Sequence, residues 1–247
     1  MPDIPLNLLD RYTKAISQGA APDRIEIIKR NRSLAYLRTE NFDGALSDVG
    51  FPNFGPKPAE KALFRAANSL YVLQRFTECE GVLETLCATY PDNHQASALL
   101  QRARRRCSEA KSGDYDFELL QREAKKLRPP HLDHATYTGP VEIRKTANKG
   151  RGLFVTEAVK AGDLLLCEKA FMHAYVPEVG IDNPHTTVLF NPERGRGFVG
   201  GQANLIKLVA QKLYRTPSVA PAFTALHRGS YETTSTLAVD GIPVVDT

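Results

Sequence analysis

Long apolar runs are missing: no stretch of the 247-residue chain approaches about 18 uninterrupted apolar residues, which argues against a membrane-spanning helix. The opening MPDIPLNLLDRYTK lacks the basic, then apolar, then small-residue order of a secretory signal. Cysteine is scarce. Cys79, Cys87, Cys107 and Cys167 show neither CxxC spacing nor the density of a disulfide scaffold, so neither structural zinc nor a disulfide framework is expected. Charge of one sign is lacking too: 32 Lys and Arg face 28 Asp and Glu, and a net +4 is too thin for a nucleic-acid-binding domain. These absences lead to a soluble, intracellular protein of nucleus or cytoplasm, without membrane attachment or direct nucleic-acid binding.

What is present suits a packed globular chain, with 42% hydrophobic and 24% charged residues and a length that fits two modest domains better than one. From about residue 5 to 127, apolar residues recur at three- and four-residue spacing with few β-branched runs, the signature of successive helices. Breakers at Gly19 to Pro22, Gly50 to Pro58, Tyr90 to Asp92 and Ser112 to Asp114 divide them into ordinary lengths.

The helices repeat. Laying Phe42-Asp43-Gly44-Ala45 over Phe76-Thr77-Glu78-Cys79 gives an offset of 34 residues, the tetratricopeptide period. In that register Ser33 and Ala67 take the small position of the first helix, Tyr36 and Leu70 the larger contact, and Ala45 and Cys79 the small position of the second. Two antiparallel helices cross closely only where small side chains meet, with larger ones filling the groove around them. Leu8, Tyr12 and Ala15 fit the second helix of a preceding, incomplete unit, and His94 to Lys111 is expected to cap the array. Such arrays present a groove to a peptide or protein partner. Asn31, Arg32, Arg65 and Asn68 are candidates for an acidic-peptide clamp there, against the plainer view that they are solvated. Arg102, Arg104, Arg105 and Arg106 form a local basic cluster, which would meet phosphate or an acidic partner or simply face solvent, the plainer choice.

Arg128-Pro129-Pro130-His131 ends the helical region, because proline removes a donor and moves its predecessor out of helical geometry. Beyond it come short β-type runs at Val141 to Arg144, Gly152 to Thr156 and Asp163 to Ala170, separated by turns at Asn148-Lys149-Gly150 and Lys160-Ala161-Gly162. Residues 176 to 200 look like loop, 202 to 215 and 218 to 227 like helices, and 237 to 246 extended. His131 and His134 lack nearby metal-ligand partners and belong to a polar linker. Tyr115 and Phe117 would dock that linker onto the following sheet or serve ordinary packing, the preferred role. Gly195 to Gly200 satisfies a literal GxGxxG. Asn191-Pro192 interrupts the strand that a dinucleotide fold needs before it, and Thr216-Pro217 follows the helix, so no dinucleotide is expected.

The most informative string is GPVEIRKTANKGRGLFVT over residues 139–156, followed by VKAGDLLLCE over 159–168. On spacing alone its glycines give a hairpin turn with positive φ and nothing bound. With the flanking strands included, the string resembles the opening of a SET domain. The tail, with LFNPERGRGF at 189–198, LHRGSY at 226–231 and VDGIPVVDT at 239–247, resembles fungal proteins that join tetratricopeptide repeats to SET, akin to the SMYD group but without its zinc finger. The resemblance implies a protein-lysine methyltransferase using S-adenosylmethionine, with Lys149, Gly150, Arg151 and Gly152 at the cofactor hairpin and a protein lysine as substrate. Glycines let a main chain come close to a ligand, and free backbone amides there can hold a carboxylate.

The family's Asn-His-Ser-Cys-type segment and late tyrosine have no counterpart, so no catalytic residue is assigned and the chain is expected to be truncated inside the SET domain. The expected fold is α+β: an all-α tetratricopeptide array over 1–128, a linker over 129–138 and the N-terminal part of a β-rich SET domain over 139–247. The competing expectation is a noncatalytic tetratricopeptide adaptor carrying an incomplete SET remnant.

Overall fold

Proline at a first helical turn and asparagine or aspartate just before one set the helix starts. Pro22 opens α2 (Pro22–Arg38), where its missing N–H has no intrahelical partner to lose. Asn41, Asn93 and Asp116 each cap a helix, their side-chain oxygens accepting from Gly44 N, Ala96 N and Leu119 N; these start α3 (Phe42–Asp48), α6 (His94–Ser112) and α7 (Phe117–Lys126). With α1 (Leu6–Ser17), α4 (Glu60–Val72) and α5 (Phe76–Thr89) they complete the helical region. The computed structural model describes residues 6–19, 21–175, 187–191, 195–226, 238–239 and 242–243. The fold is α+β, and the helical N-terminal region is consistent with tetratricopeptide packing.

The chain packs as two compact units, residues 1–69 with 170–247, and residues 70–169. In the first, α2 packs on α3 with Ser33, Ala35 and Ala45 fully or nearly fully buried. In the second, α5 packs on α6 through a face that buries Cys79, Leu83 and Leu86 on one helix and Ala96 and Ala103 on the other. All four small positions of the repeat register, Ser33, Ala67, Ala45 and Cys79, have no exposed surface, as close helix crossing requires.

The first unit is closed by a chain-distant tie. Its later elements are β5 (Val188–Asn191), β6 (Arg196–Val199), α8 (Gly201–Arg215), a 3₁₀ turn at Pro217–Val219 and α9 (Ala220–Thr224). Thr216 is buried; its hydroxyl donates to Glu40 O (2.8 Å) and accepts from Phe42 N (3.3 Å), while Ser218 N and Oγ donate to the Asp43 carboxylate at 2.8 and 2.6 Å. These bonds hold the α2–α3 turn, where Glu40 has a φ of 61°.

Among the described residues the strands form two-stranded antiparallel ladders only. β1 (Tyr137–Thr138) pairs with β4 (Leu166–Cys167), β2 (Val141–Thr146) with β3 (Gly150–Val155), β5 with β6, and β7 (Ala238–Val239) with β8 (Ile242–Pro243). The β2–β3 hairpin lies where the alternation placed it. The run Asp163 to Ala170 contributes only Leu166–Cys167, because a turn holds its start: Lys160 N donates to Asp163 Oδ2 at 2.6 Å. The loop expected over 176–200 is corrected at 188–191 and 196–199, which pair as the antiparallel β5–β6 ladder. Asn191 and Gly197 lie within these strands, and such turn-favouring residue types hid the pairing from the sequence pattern. Residues 176–186 and 192–194 of that expectation lie outside the described residues.

Candidate functional site

In the β2–β3 hairpin the register is Val141↔Val155, Ile143↔Leu153 and Lys145↔Arg151 on one face, and Glu142↔Phe154, Arg144↔Gly152 and Thr146↔Gly150 on the other. The turn is tied by Thr146, whose hydroxyl donates to Gly150 O (3.0 Å) and accepts from Lys149 N (3.1 Å). Gly150 has a φ of +75°, and a Cβ added there would meet nothing within 4 Å. A Cβ on Gly152 would approach the Phe154 ring to 3.0 Å. The hairpin thus brings Lys149, Gly150, Arg151 and Gly152 together at its tip, the first three exposed and Gly152 half-buried. The open space at Gly150, flanked by the Lys149 and Arg151 cations, leaves room for a negatively charged group beside the tip. Arg144 is paired with Glu142 and lies over the Phe154 ring, 5.9 Å from its centroid. On the opposite face Ile143 and Leu153 are 68% and 53% exposed.

A second constellation, which sequence reasoning missed, lies in the same unit. After the double proline, residues 131–138 run against α6 and are tied at successive positions. Tyr71 Oη donates to both Asp133 oxygens at 2.9 Å, and Arg102 donates to Asp133 at 3.0 Å. Ala135 N donates to Glu109 (2.9 Å) and Ala135 O accepts from Tyr115 Oη (2.9 Å). Arg106 bonds Glu109 at 2.6 Å and stands 3.6 Å from Asp133; its Nε is buried without a hydrogen-bond partner. Ala135 is itself buried, in a cluster with Phe76 and Cys107. Tyr115 therefore anchors this strap by its hydroxyl as well as by packing. The only hint in the sequence was Asp133 between His131 and His134, and nothing in it pointed to Tyr71.

The basic cluster on α6 is corrected by the same geometry. Arg102 and Arg106 face Asp133 and Glu109, and Arg104 bonds Glu80 (3.1 Å) and Glu84 (2.7 Å), so three of the four guanidinium groups have intramolecular carboxylate partners rather than solvent alone. The acidic-peptide clamp is corrected likewise. Arg32 makes a bidentate pair with Asp48 at 2.7 and 2.6 Å and bonds Thr13 at 3.0 Å. Arg65 bonds Arg30 O and Ser33 Oγ, and Asn68 donates to Phe64 O one turn back at 2.7 Å. Cations consumed this way do not offer free donors to a peptide carboxylate. Gly195 to Gly200 forms a turn, strand β6 and the residue before α8, not a phosphate loop between strand and helix. Among the described residues no group of three His, Cys, Asp or Glu side chains is placed to hold a metal, and no helix is long and apolar enough to cross a membrane.

Burial opposes ionisation of Asp133, but the hydrogen bonds from Arg102 and Tyr71 and the charges of Arg106 and Arg102 outweigh it and hold the carboxyl below its usual range. Burial first, then Asp133 itself, pushes the Tyr71 phenol up to about 12, so it stays a donor. A depressed carboxyl contributes stability that is complete above its unfolded value, about 3.9, and is lost as pH falls through the lower folded value. Acid titration followed by tyrosine fluorescence should therefore show a destabilising step below about pH 4 that Asp133→Asn removes. An unchanged acid profile in that variant would show that the strap does not depend on the ionised carboxylate.

No family model matches the chain, and no solved structure matches it. Among curated proteins it is 37% identical over 235 residues to a protein of Gibberella zeae named "Methyltransferase". The chain is similar to a methyltransferase. The alignment takes in 95% of this chain but 32% of that relative, so the chain spans about a third of its length. A second likeness, 35% identity over 81 residues, is to a Drosophila melanogaster protein named "DNA polymerase interacting tetratricopeptide repeat-containing, protein of 47 kDa", covering 33% of this chain and 20% of that protein.

Proposed function

We propose that the chain belongs to an S-adenosylmethionine-dependent, SET-type protein-lysine methyltransferase, with residues 1–128 as a tetratricopeptide module that holds a protein partner and residues from 139 onward supplying the opening strands of the methyltransferase domain. The observation that carries this reading is the relative named "Methyltransferase", whose similarity runs through helices and hairpins alike. The hairpin tip supports it: Gly150 leaves the main chain open to a ligand, and Lys149 and Arg151 place positive charge beside a carboxylate. Bound there, the cofactor would supply an electrophilic methyl group. The hairpin's own part is to hold and orient its amino-acid end. An intracellular location, nucleus or cytoplasm, goes with this reading.

Isothermal titration with S-adenosylmethionine tests it. The expected result is a saturable heat that Gly150→Val and the charge reversal Arg151→Glu weaken by about tenfold or more, while Gly150→Asn, which tolerates positive φ, keeps the hairpin and isolates the effect of filling the open space. No heat from the parent chain at about millimolar cofactor would sink the cofactor-hairpin reading and leave a noncatalytic adaptor.

A further inference from the structure

Helix α7 is the best-defined unclaimed surface among the described residues. No residue of α7 is buried. Leu120, Glu123 and Ala124, spaced three and four apart, are half-covered and mark its inner side, while Glu118, Gln121, Arg122, Lys125 and Lys126 face outward. Phe117 and Leu119, 56% and 40% exposed, border that outer face on opposite edges at the helix start. The three cations lie towards the other end.

Their charges set α7 apart from α6. Arg102, Arg104 and Arg106 each have described carboxylate partners, whereas Arg122, Lys125 and Lys126 form no ion pair among the described residues. The helix dipole accounts for positive charge in the last turn but not for Arg122, one turn earlier. Arg128 is already used, donating to Ala124, Lys125 and Leu127 carbonyls at 3.5, 3.1 and 2.9 Å. The helix start is held firm: Asp116 caps it at 2.8 Å, and the Phe117 ring rests 5.6 Å from that of Tyr115, which is buried and tied to Ala135. A preorganised aromatic edge beside an unneutralised basic stripe is the pattern of a docking face rather than of a merely solvated one.

We propose that the outer face of α7 docks an acidic protein segment, which sets apolar side chains against Phe117 and Leu119 and carboxylates against Arg122, Lys125 and Lys126, about 5–14 Å further along the helix. Charge complementarity chooses an acidic partner. The placement of the two apolar side chains on opposite edges favours a segment that grips the helix over a flat lipid surface, which would meet one edge at a time. This surface does not depend on methyl transfer.

The test uses the whole chain and a fluorescein-labelled synthetic peptide with leucines at one end and a run of glutamates at the other. Fluorescence anisotropy should show binding that weakens about tenfold or more on Lys125→Glu with Lys126→Glu, and again on Phe117→Ser, and that is lost when the peptide's glutamates are replaced by lysines. Because no residue of α7 is buried, the charge-reversed variant should keep its circular dichroism spectrum, with a small drop in melting temperature because negative charge opposes the dipole at the helix end. The proposal is overturned by no binding at about 0.1 mM peptide, by binding indifferent to the charge reversal, or by the chain sedimenting with phosphatidylserine vesicles while ignoring the peptide.

Discussion

Replacing Arg32 by alanine should destabilise the first unit by about 3–5 kcal/mol, the cost of leaving a buried carboxylate without its partner. The Asp48 side chain is 4% exposed and that of Arg32 14%, so neither water nor salt can stand in for the guanidinium, which meets both carboxylate oxygens. The pair joins α2 to α3, and Arg32 also reaches Thr13 on α1, so one substitution loosens three helices. Chemical denaturation followed by helical circular dichroism measures the loss. In the double variant Arg32→Met, Asp48→Leu most of the stability should return, because an apolar pair carries no desolvation penalty. A loss under about 1 kcal/mol for Arg32→Ala would mean the pair behaves as an exposed one.

Gly113→Ala should cost the second unit about 2–5 kcal/mol through two separable causes. Gly113 ends α6 with a φ of 66°, a left-handed conformation that costs an L-residue about 1–2 kcal/mol. An added Cβ would also lie 2.6–2.8 Å from the Tyr137 ring, in the strand that continues the Asp133 strap. Displacing a packed ring adds about 1–3 kcal/mol. Gly113→Ala combined with Tyr137→Ala should cost less than the sum of the two single changes, because the collision is gone and only the strain remains. Strict additivity would show that the ring yields freely and that φ alone matters.

Both predictions concern contacts that one-dimensional pattern does not carry. Apolar spacing and the breakers placed the helices, since amphipathicity and turn chemistry are local. The 34-residue offset correctly picked Ser33, Ala67, Ala45 and Cys79 as small positions, because helix crossing imposes the same volume limit in each unit. The β2–β3 hairpin was equally legible: alternation and glycine placement both act over a few residues. Partner choice was not. Arg32 and Arg65 looked available to a peptide, yet Asp48 lies 16 residues from the first and Arg30 35 from the second. Asp133 looked like linker until Tyr71, 62 residues away, was found beside it. The β5–β6 pairing was hidden because Asn191, Pro192, Gly195 and Gly197 interrupt the apolar pattern there.

The sequence by itself determined the helical periodicity and the glycine hairpin, which rest on neighbours within a turn or a short loop, and the repeat offset, which rests on the same volume limit recurring at each helix crossing. Tertiary structure alone decided which charges are free. It paired the α6 arginines and Arg32 with carboxylates, fastened the strap at Asp133, and left the outer face of α7 with cations that nothing described neutralises. The reason is that a charged side chain is sequence-visible, but whether it is solvated, paired or presented depends on groups brought close only by the fold.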